Sequence, residues 1–173
     1  MKVLTCQGEV SASWRAEGFA SDGREVEKNH NNYLSPMTSI LLIHIFSTFF
    51  MCGLCWFVQI VHYPLFKAVP LHNFPAYQKK NYVTGHVTVP MMTVELFSGL
   101  WVLFAAYSDL FLTNMILLAI IWGSTFVFQV PIHLQLAKNP THKLMSRLIR
   151  TNWIRTLSWT MRSGILAYLL LNN

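Results

Sequence analysis

Between Lys28 and Lys67 the chain carries no Asp, Glu, Lys or Arg, and a second charge-free stretch runs from Leu110 to Ala137. Each exceeds the roughly 20 residues that a helix needs to cross the hydrocarbon core of a bilayer. Charged residues make up 12% of the sequence, against about 25% in ordinary soluble proteins. The chain therefore reads as an integral membrane protein, and so little charge excludes a chain that is a disordered tail throughout, a fibrous repeat and most soluble enzymes. In lipid only helices and closed barrels satisfy every backbone N–H and C=O, and no segment alternates as a barrel strand does. Four helical spans are expected, over residues 37–62, 86–107, 110–131 and 151–171. The predicted fold is an all-α, membrane-embedded four-helix bundle. Residues 67–85 read as a loop holding Pro70 and Pro75, Ser108-Asp109 as a tight turn, and 138–150 as a basic connector with room for a short surface helix.

The remaining charges give an orientation. Lys67, Lys79 and Lys80 in the first connection and Lys138, Lys143, Arg147 and Arg150 in the third lie on one side, while the Ser108-Asp109 turn carries no basic residue. The positive-inside rule places 67–85 and 138–150 in the cytoplasm of a multi-pass cell-membrane protein, with both termini outside. A basic surplus in such loops faces anionic lipid. No basic run is interleaved with aromatics, so nucleic acid is not an expected partner. Residues 1–36 are polar and aperiodic, and are expected to be a disordered extension or an untranslated stretch ahead of a start at Met37. Cys6, Cys52 and Cys55 make no disulfide framework. Cys52 and Cys55 form a C-x-x-C, read either as a structural pair or as a redox pair.

Polar residues inside the spans fall on stripes. The first span carries His44, Thr48, Cys52, Cys55, Gln59 and His62 at steps of three or four, which is one helix face. The second holds His86, Thr93, Glu95 and Ser98, the third Trp122, Thr125, Gln129 and His133, the fourth Asn152, Arg155, Trp159 and Arg162. Such stripes either join helices, at roughly 0.6 kcal/mol per hydrogen bond, or line a site. Thr48, Ser98 and Thr125 are read as joining groups. Glu95 and Arg162 lie about 13 and 16 Å into their spans at 1.5 Å per residue, too deep to reach water easily, so a Glu95–Arg162 ion pair is expected. No histidine spacing forms a metal motif, and none is predicted; His62, His86 and His133 meet only through the fold.

The stretches Gln129-Val130-Pro131-Ile132-His133-Leu134-Gln135-Leu136 and Asn152-Trp153-Ile154-Arg155-Thr156 resemble the Pro-Leu-Asn-x-x-Leu and Trp-x-x-x-Asn-x-x-Arg-Thr pattern of a family of small four-helix membrane proteins that includes the fungal anthrone oxygenases. The likeness covers about the last third of the chain. His133 stands where the pattern has Asn, and Trp153 follows Asn152 rather than preceding it. The resemblance implies a cofactor-independent oxidoreductase acting on a lipophilic aromatic molecule. A histidine, His133 or His62, would serve as general base, with Arg155 and Asn152 aimed at the developing oxyanion. Gln129 and His86 would contact substrate, and Trp122 and Trp159 would form the deeper wall. Two other classes stay open: an oligomeric transport or proton and cation permeation unit using Glu95, and a structural membrane subunit.

Overall fold

The computed structural model describes residues 36–172, so the expectation for 1–36 lies, Pro36 apart, outside the described residues. The chain divides into Met1–Ser39 and Ile40–Asn173. Of the first, only the opening turn of a helix is described, and the packing below belongs to the second.

Helix α1 runs over Pro36–Ala68. A short helix α2, Phe74–Asn81, leads through Tyr82 into α3, Val83–Ala105. Helix α4 occupies Asp109–Lys138 and α5 His142–Leu171. Every regular element among the described residues is helical. Three runs, Pro36–Ala68, Phe74–Ala105 and Asp109–Lys138, are long and apolar enough to cross a membrane. The outward positions match a lipid surface: Phe46, Phe97, Phe104 and Phe126 are 60–85% exposed.

Helices α1 and α4 overrun the ends read from the sequence. Pro64 and Pro131 suggest stops because proline lacks an N–H and its ring collides with the carbonyl four residues back. A π-helical turn precedes each: Val58–His62 before Pro64, and Thr125–Gln129 before Pro131. The N–H of Tyr63 reaches five residues back to the Val58 carbonyl, and that of Val130 to the Thr125 carbonyl. The wider turn admits the ring, and the helix continues. It also keeps one face inward. Buried Met51, Cys55, Gln59 and Tyr63 recur every four residues, a step that drifts off the face of a 3.6-residue helix.

The expected loop 67–85 is largely helical. Pro75 sits in the first turn of α2, where a missing N–H costs nothing, and Phe74 and Gln78 are fully buried. Helix α3 accordingly starts before His86. The basic connector 138–150 holds no separate surface helix; most of it is the opening of α5. Thr141 caps that helix, its hydroxyl accepting from the Leu144 N–H at 3.2 Å, and Ser108 caps α4 by accepting from the Phe111 N–H at 3.2 Å.

Helix α5 is the common partner, with α4 along its length and the π turn of α1 against it. One apolar cluster contains Met51, Met92, Met115, Leu118, Ile121 and Trp159; the other contains Tyr63, Phe66, Phe74, Ile132, Met145 and Leu148. Gly99 permits the close approach of α3 to α1 and α4. A Cβ there would stand 2.5 Å from Met115 Sδ and 2.9 Å from His44 Cε1. Gly99→Ala is expected to lower the Tm in detergent, because overpacking strain of about 1–3 kcal/mol exceeds a helix-propensity gain of about 1 kcal/mol. Gly123→Ala, whose Cβ meets nothing within 4 Å, is expected to leave the Tm unchanged or raise it. Equal thermal shifts for both would contradict the close approach at Gly99.

Candidate functional site

Two polar groupings occupy the interior. The first lies toward the α3–α4 turn. Arg162 Nη2 donates to Glu95 Oε2 at 2.6 Å, and Arg162 Nε donates to Asn114 Oδ1 at 3.0 Å. Asn114 Nδ2 donates back to the Arg162 carbonyl at 3.1 Å, and the guanidinium stands 4.8 Å over the Trp159 ring. Nη2 also lies 3.4 Å from His44 Nε2. A guanidinium has donors only, so Nε2 accepts and the imidazole proton sits on Nδ1, 3.0 Å from Ser98 Oγ. The Ser98 hydroxyl passes its own hydrogen to the Val94 carbonyl at 2.7 Å. His44, Glu95, Asn114 and Arg162 are all 0% exposed. Opposite charges that leave water together need each other and further hydrogen bonds; here Glu95 Oε1 and Arg162 Nη1 stay without a partner.

The second grouping surrounds a cavity of about 230 Å³ in the half nearer α2. His62, Tyr63, Gln78, Gln129, His133 and Arg155 contribute to its wall, with Met51, Leu54, Val58, Val89 and Met92 among the apolar remainder. Gln78 Nε2 donates to His133 Nδ1 at 2.9 Å, and His133 Nε2 lies 3.1 Å from the Tyr63 hydroxyl. With Nδ1 accepting, the ring proton is on Nε2 and points at Tyr63. A half-turn of the Gln78 amide exchanges donor for acceptor, moving the proton to Nδ1 and freeing Nε2 to act as a base toward the Tyr63 hydroxyl. Gln78 Oε1 has no partner, so this exchange breaks no other bond. His62 Nε2 is tied to Asn81 Oδ1 at 2.8 Å.

Arg155 is 7% exposed. Its Nη1 donates to Asn152 Oδ1 at 3.4 Å, Asn152 Nδ2 donates to Gln59 Oε1 at 2.9 Å, and Gln59 Nε2 donates to the Ile149 carbonyl at 3.2 Å. Arg155 Nε has no partner. The acidic residues among those described are Glu95 and Asp109; Glu95 is held by Arg162, and no ion pair joins either to Arg155. A buried guanidinium with neutral neighbours is a standing attraction for an oxyanion.

The fold thus brings His62, Gln129, His133 and Arg155 to one cavity. Asn152 lies behind Arg155 and orients it. His86 points elsewhere and is exposed on α3. Trp122 and Trp159 do not form the deep wall. Trp122 lines a separate apolar groove with Leu96, Leu100 and Met115, and Trp159 packs on Arg162. Trp122 packs against the apolar cluster of Met51 and Met92 without joining the cavity lining. Cys52 and Cys55 are free, each facing a threonine of α5 at 4.0 and 3.5 Å respectively. Among the described residues no three His, Cys, Asp or Glu side chains converge as metal ligands do.

Sequence reasoning overlooked Tyr63 and Gln78. Both lay where prolines suggested loop. The signal was present in Phe74, Tyr77, Gln78 and Asn81, spaced as one face of a helix beginning at a first-turn proline. His44 and Asn114 as partners of the ion pair were overlooked as well. Comparison of the chain with family models, curated proteins and solved structures gives no match.

Glu95→Gln is expected to strand Arg162 and destabilise the protein by about 3–5 kcal/mol, the usual cost of halving a buried pair. Adding Arg162→Met to Glu95→Gln is expected to recover part of that loss. Thermal unfolding in detergent measures both; a double variant no more stable than the single would deny the coupling.

Proposed function

We propose that the chain is a four-span membrane protein that oxidises a lipophilic aromatic compound, as the resemblance to anthrone oxygenases implies. The fourth span is α5. Its arginines lower its mean hydropathy, but Arg155 and Arg162 are buried while Trp153, Leu157, Met161, Tyr168 and Leu170 face outward. Its exposed face from Trp153 to Leu171 is therefore apolar but for Thr160. With Lys67, Lys79, Lys80, Lys138, Lys143, Arg147 and Arg150 at one end, the positive-inside rule puts that end in the cytoplasm and both termini outside.

The observation that carries the functional reading is Arg155, buried without a carboxylate partner among the described residues, on the same cavity wall as His133. In an anthrone the methylene between the rings is acidic because its carbanion delocalises onto the carbonyl oxygen. With the Gln78 amide turned so that its oxygen accepts from Nδ1, His133 Nε2, directly or through the Tyr63 hydroxyl, takes that proton, and the negative charge on oxygen is stabilised by Arg155. The electron-rich anion gives one electron to O2, and the resulting radicals combine at the former methylene carbon. The peroxide formed loses water, leaving a quinone. Both methylene hydrogens thus depart in water with one oxygen atom of O2, and the other oxygen becomes the new carbonyl.

Oxygen uptake by the purified protein with anthrone, against the uncatalysed background, tests the reaction. His133→Ala is expected to slow it by about 10²-fold or more, the range of general acid–base catalysis, and Tyr63→Phe to slow it less. Rates equal to background, or unaffected by His133→Ala, would overturn the reading. Topology is checked separately. A cysteine replacing Asp109 is expected to react with an impermeant thiol reagent from outside and one replacing Lys79 only after permeabilisation; the reverse pattern would invert the orientation.

A further inference from the structure

The cavity wall is covered on every side but one. The lining residues of α1, from Met51 to Tyr63, and Arg155 of α5 present no exposed side chain. Met51 of α1 and Met92 of α3, the lining residues farthest from α2 on their helices, are buried. Helix α2 covers the other end through Gln78 on His133 and Asn81 on His62. Tyr82 just ahead of α3, Val89 in it, and Val130 and Leu134 of α4 line the cavity and are nevertheless 41–56% exposed. All four flank one seam, so the cavity opens sideways between α3 and α4. Val130 and Leu134 lie about 12 and 6 Å along α4 from Lys138 at 1.5 Å per residue. The seam therefore faces the hydrocarbon of the leaflet at the basic end, where a half-bilayer is about 15 Å deep.

Gly85 borders the same space. It precedes Met92 by seven residues, two helical turns less about 20°, and Met92 is buried and lines the cavity. A side chain at 85 would therefore point inward, and a Cβ built there meets nothing within 4 Å. Its φ is not positive, and glycine is the poorest helix former after proline. Neither the backbone nor a close neighbour calls for glycine at this position. Gly53, Gly123 and Gly164 also meet nothing within 4 Å, but they are exposed and do not line the cavity. What Gly85 does is leave the space beside the seam empty.

We propose that Gly85 is the specificity-determining residue of a lateral entry: a flat, uncharged aromatic molecule dissolved in the membrane passes between Val89 and Val130 and lies against the bare backbone of Gly85. This rests on the reading of the cavity as the substrate site, and names its point of entry and the residue that sets what it admits. A flat ring system fits beside a backbone that carries no side chain, and any side chain at 85 takes its place. A permanently charged analogue is excluded, because it would have to shed its water to pass an apolar seam.

Native mass spectrometry of the purified full chain, released from micelles after incubation with anthraquinone or with anthraquinone-2-sulfonate, tests the proposal. One anthraquinone is expected to be retained, and the sulfonate at least about tenfold more weakly, since its charge must be desolvated. Gly85→Leu is expected to unfold no earlier than the unaltered chain, because the space is open and leucine is the better helix former. It is expected to cut anthraquinone retention at least about tenfold by filling the space the rings need, with Gly85→Ala between the two. Gly123→Leu, at a glycine with equally open surroundings outside the cavity, is expected to leave retention unchanged. Sulfonate retained as well as anthraquinone would put the opening in water. Undiminished retention in Gly85→Leu, or a lowered Tm there, would show that the space is not the one proposed. Any of these overturns the proposal. Oxygen uptake with anthrone separates it from the functional reading. Uptake that is intact in Gly85→Leu removes the entry and leaves the oxidase, while retention that depends on Gly85 without any uptake removes the oxidase and leaves the entry.

Discussion

The guanidinium of Arg162 and the carboxylate of Glu95 have left water together, 2.6 Å apart and fully covered. Each alone would cost several kcal/mol in an apolar interior, so the pair forms only where α3 and α5 present these residues at the same level. Asn114 of α4 and His44 of α1 add hydrogen bonds to Arg162, and all four long helices are thereby registered at one height. Gly99, one turn from Glu95 on α3, lets His44 and Met115 come close enough to close this layer.

That registration carries over to the cavity. Arg155 stands seven residues before Arg162, two turns of α5, which returns it to nearly the same face about 10 Å lower. Fixing Arg162 against α3 thus fixes the wall on which Arg155 sits. Two π turns, each ahead of a proline, bring Tyr63 and His133 inward from α1 and α4, and π turns recur at functional sites in helical proteins. Helix α2 reaches over this end with Gln78 on His133 and Asn81 on His62. The result is a small, largely apolar space with an imidazole, a guanidinium and a phenol hydroxyl at its polar end.

Much of this was legible in the sequence because lipid imposes simple rules. Charge-free runs gave the helices, the depth count brought Glu95 to Arg162, and the polar stripes brought Gln129, His133 and Arg155 to one side. The misreadings share a physical cause. Pro64 and Pro131 were weighed as helix ends, whereas a shift from four-residue to five-residue hydrogen bonding absorbs a proline without ending the helix. Residues 67–85 were read by their prolines and lysines instead of by the spacing of Phe74, Gln78 and Asn81. The helix face alone suggests Trp122 and Trp159 for the cavity, but a face does not say which neighbours close over a ring: Trp122 lies in a groove with Leu96 and Leu100, and Trp159 under Arg162.

The central proposal is that this cavity receives an aromatic ligand whose oxygen is held by Arg155. A crystal structure of the full chain grown from a lipid phase with anthraquinone, the quinone that oxidation of anthrone leaves, tests it most directly. The account predicts the ligand in the cavity with one carbonyl oxygen within hydrogen-bonding distance of the Arg155 guanidinium and the Tyr63–His133 pair alongside. Rings bound in the groove beside Trp122, with Arg155 turned away from an empty cavity, would contradict it.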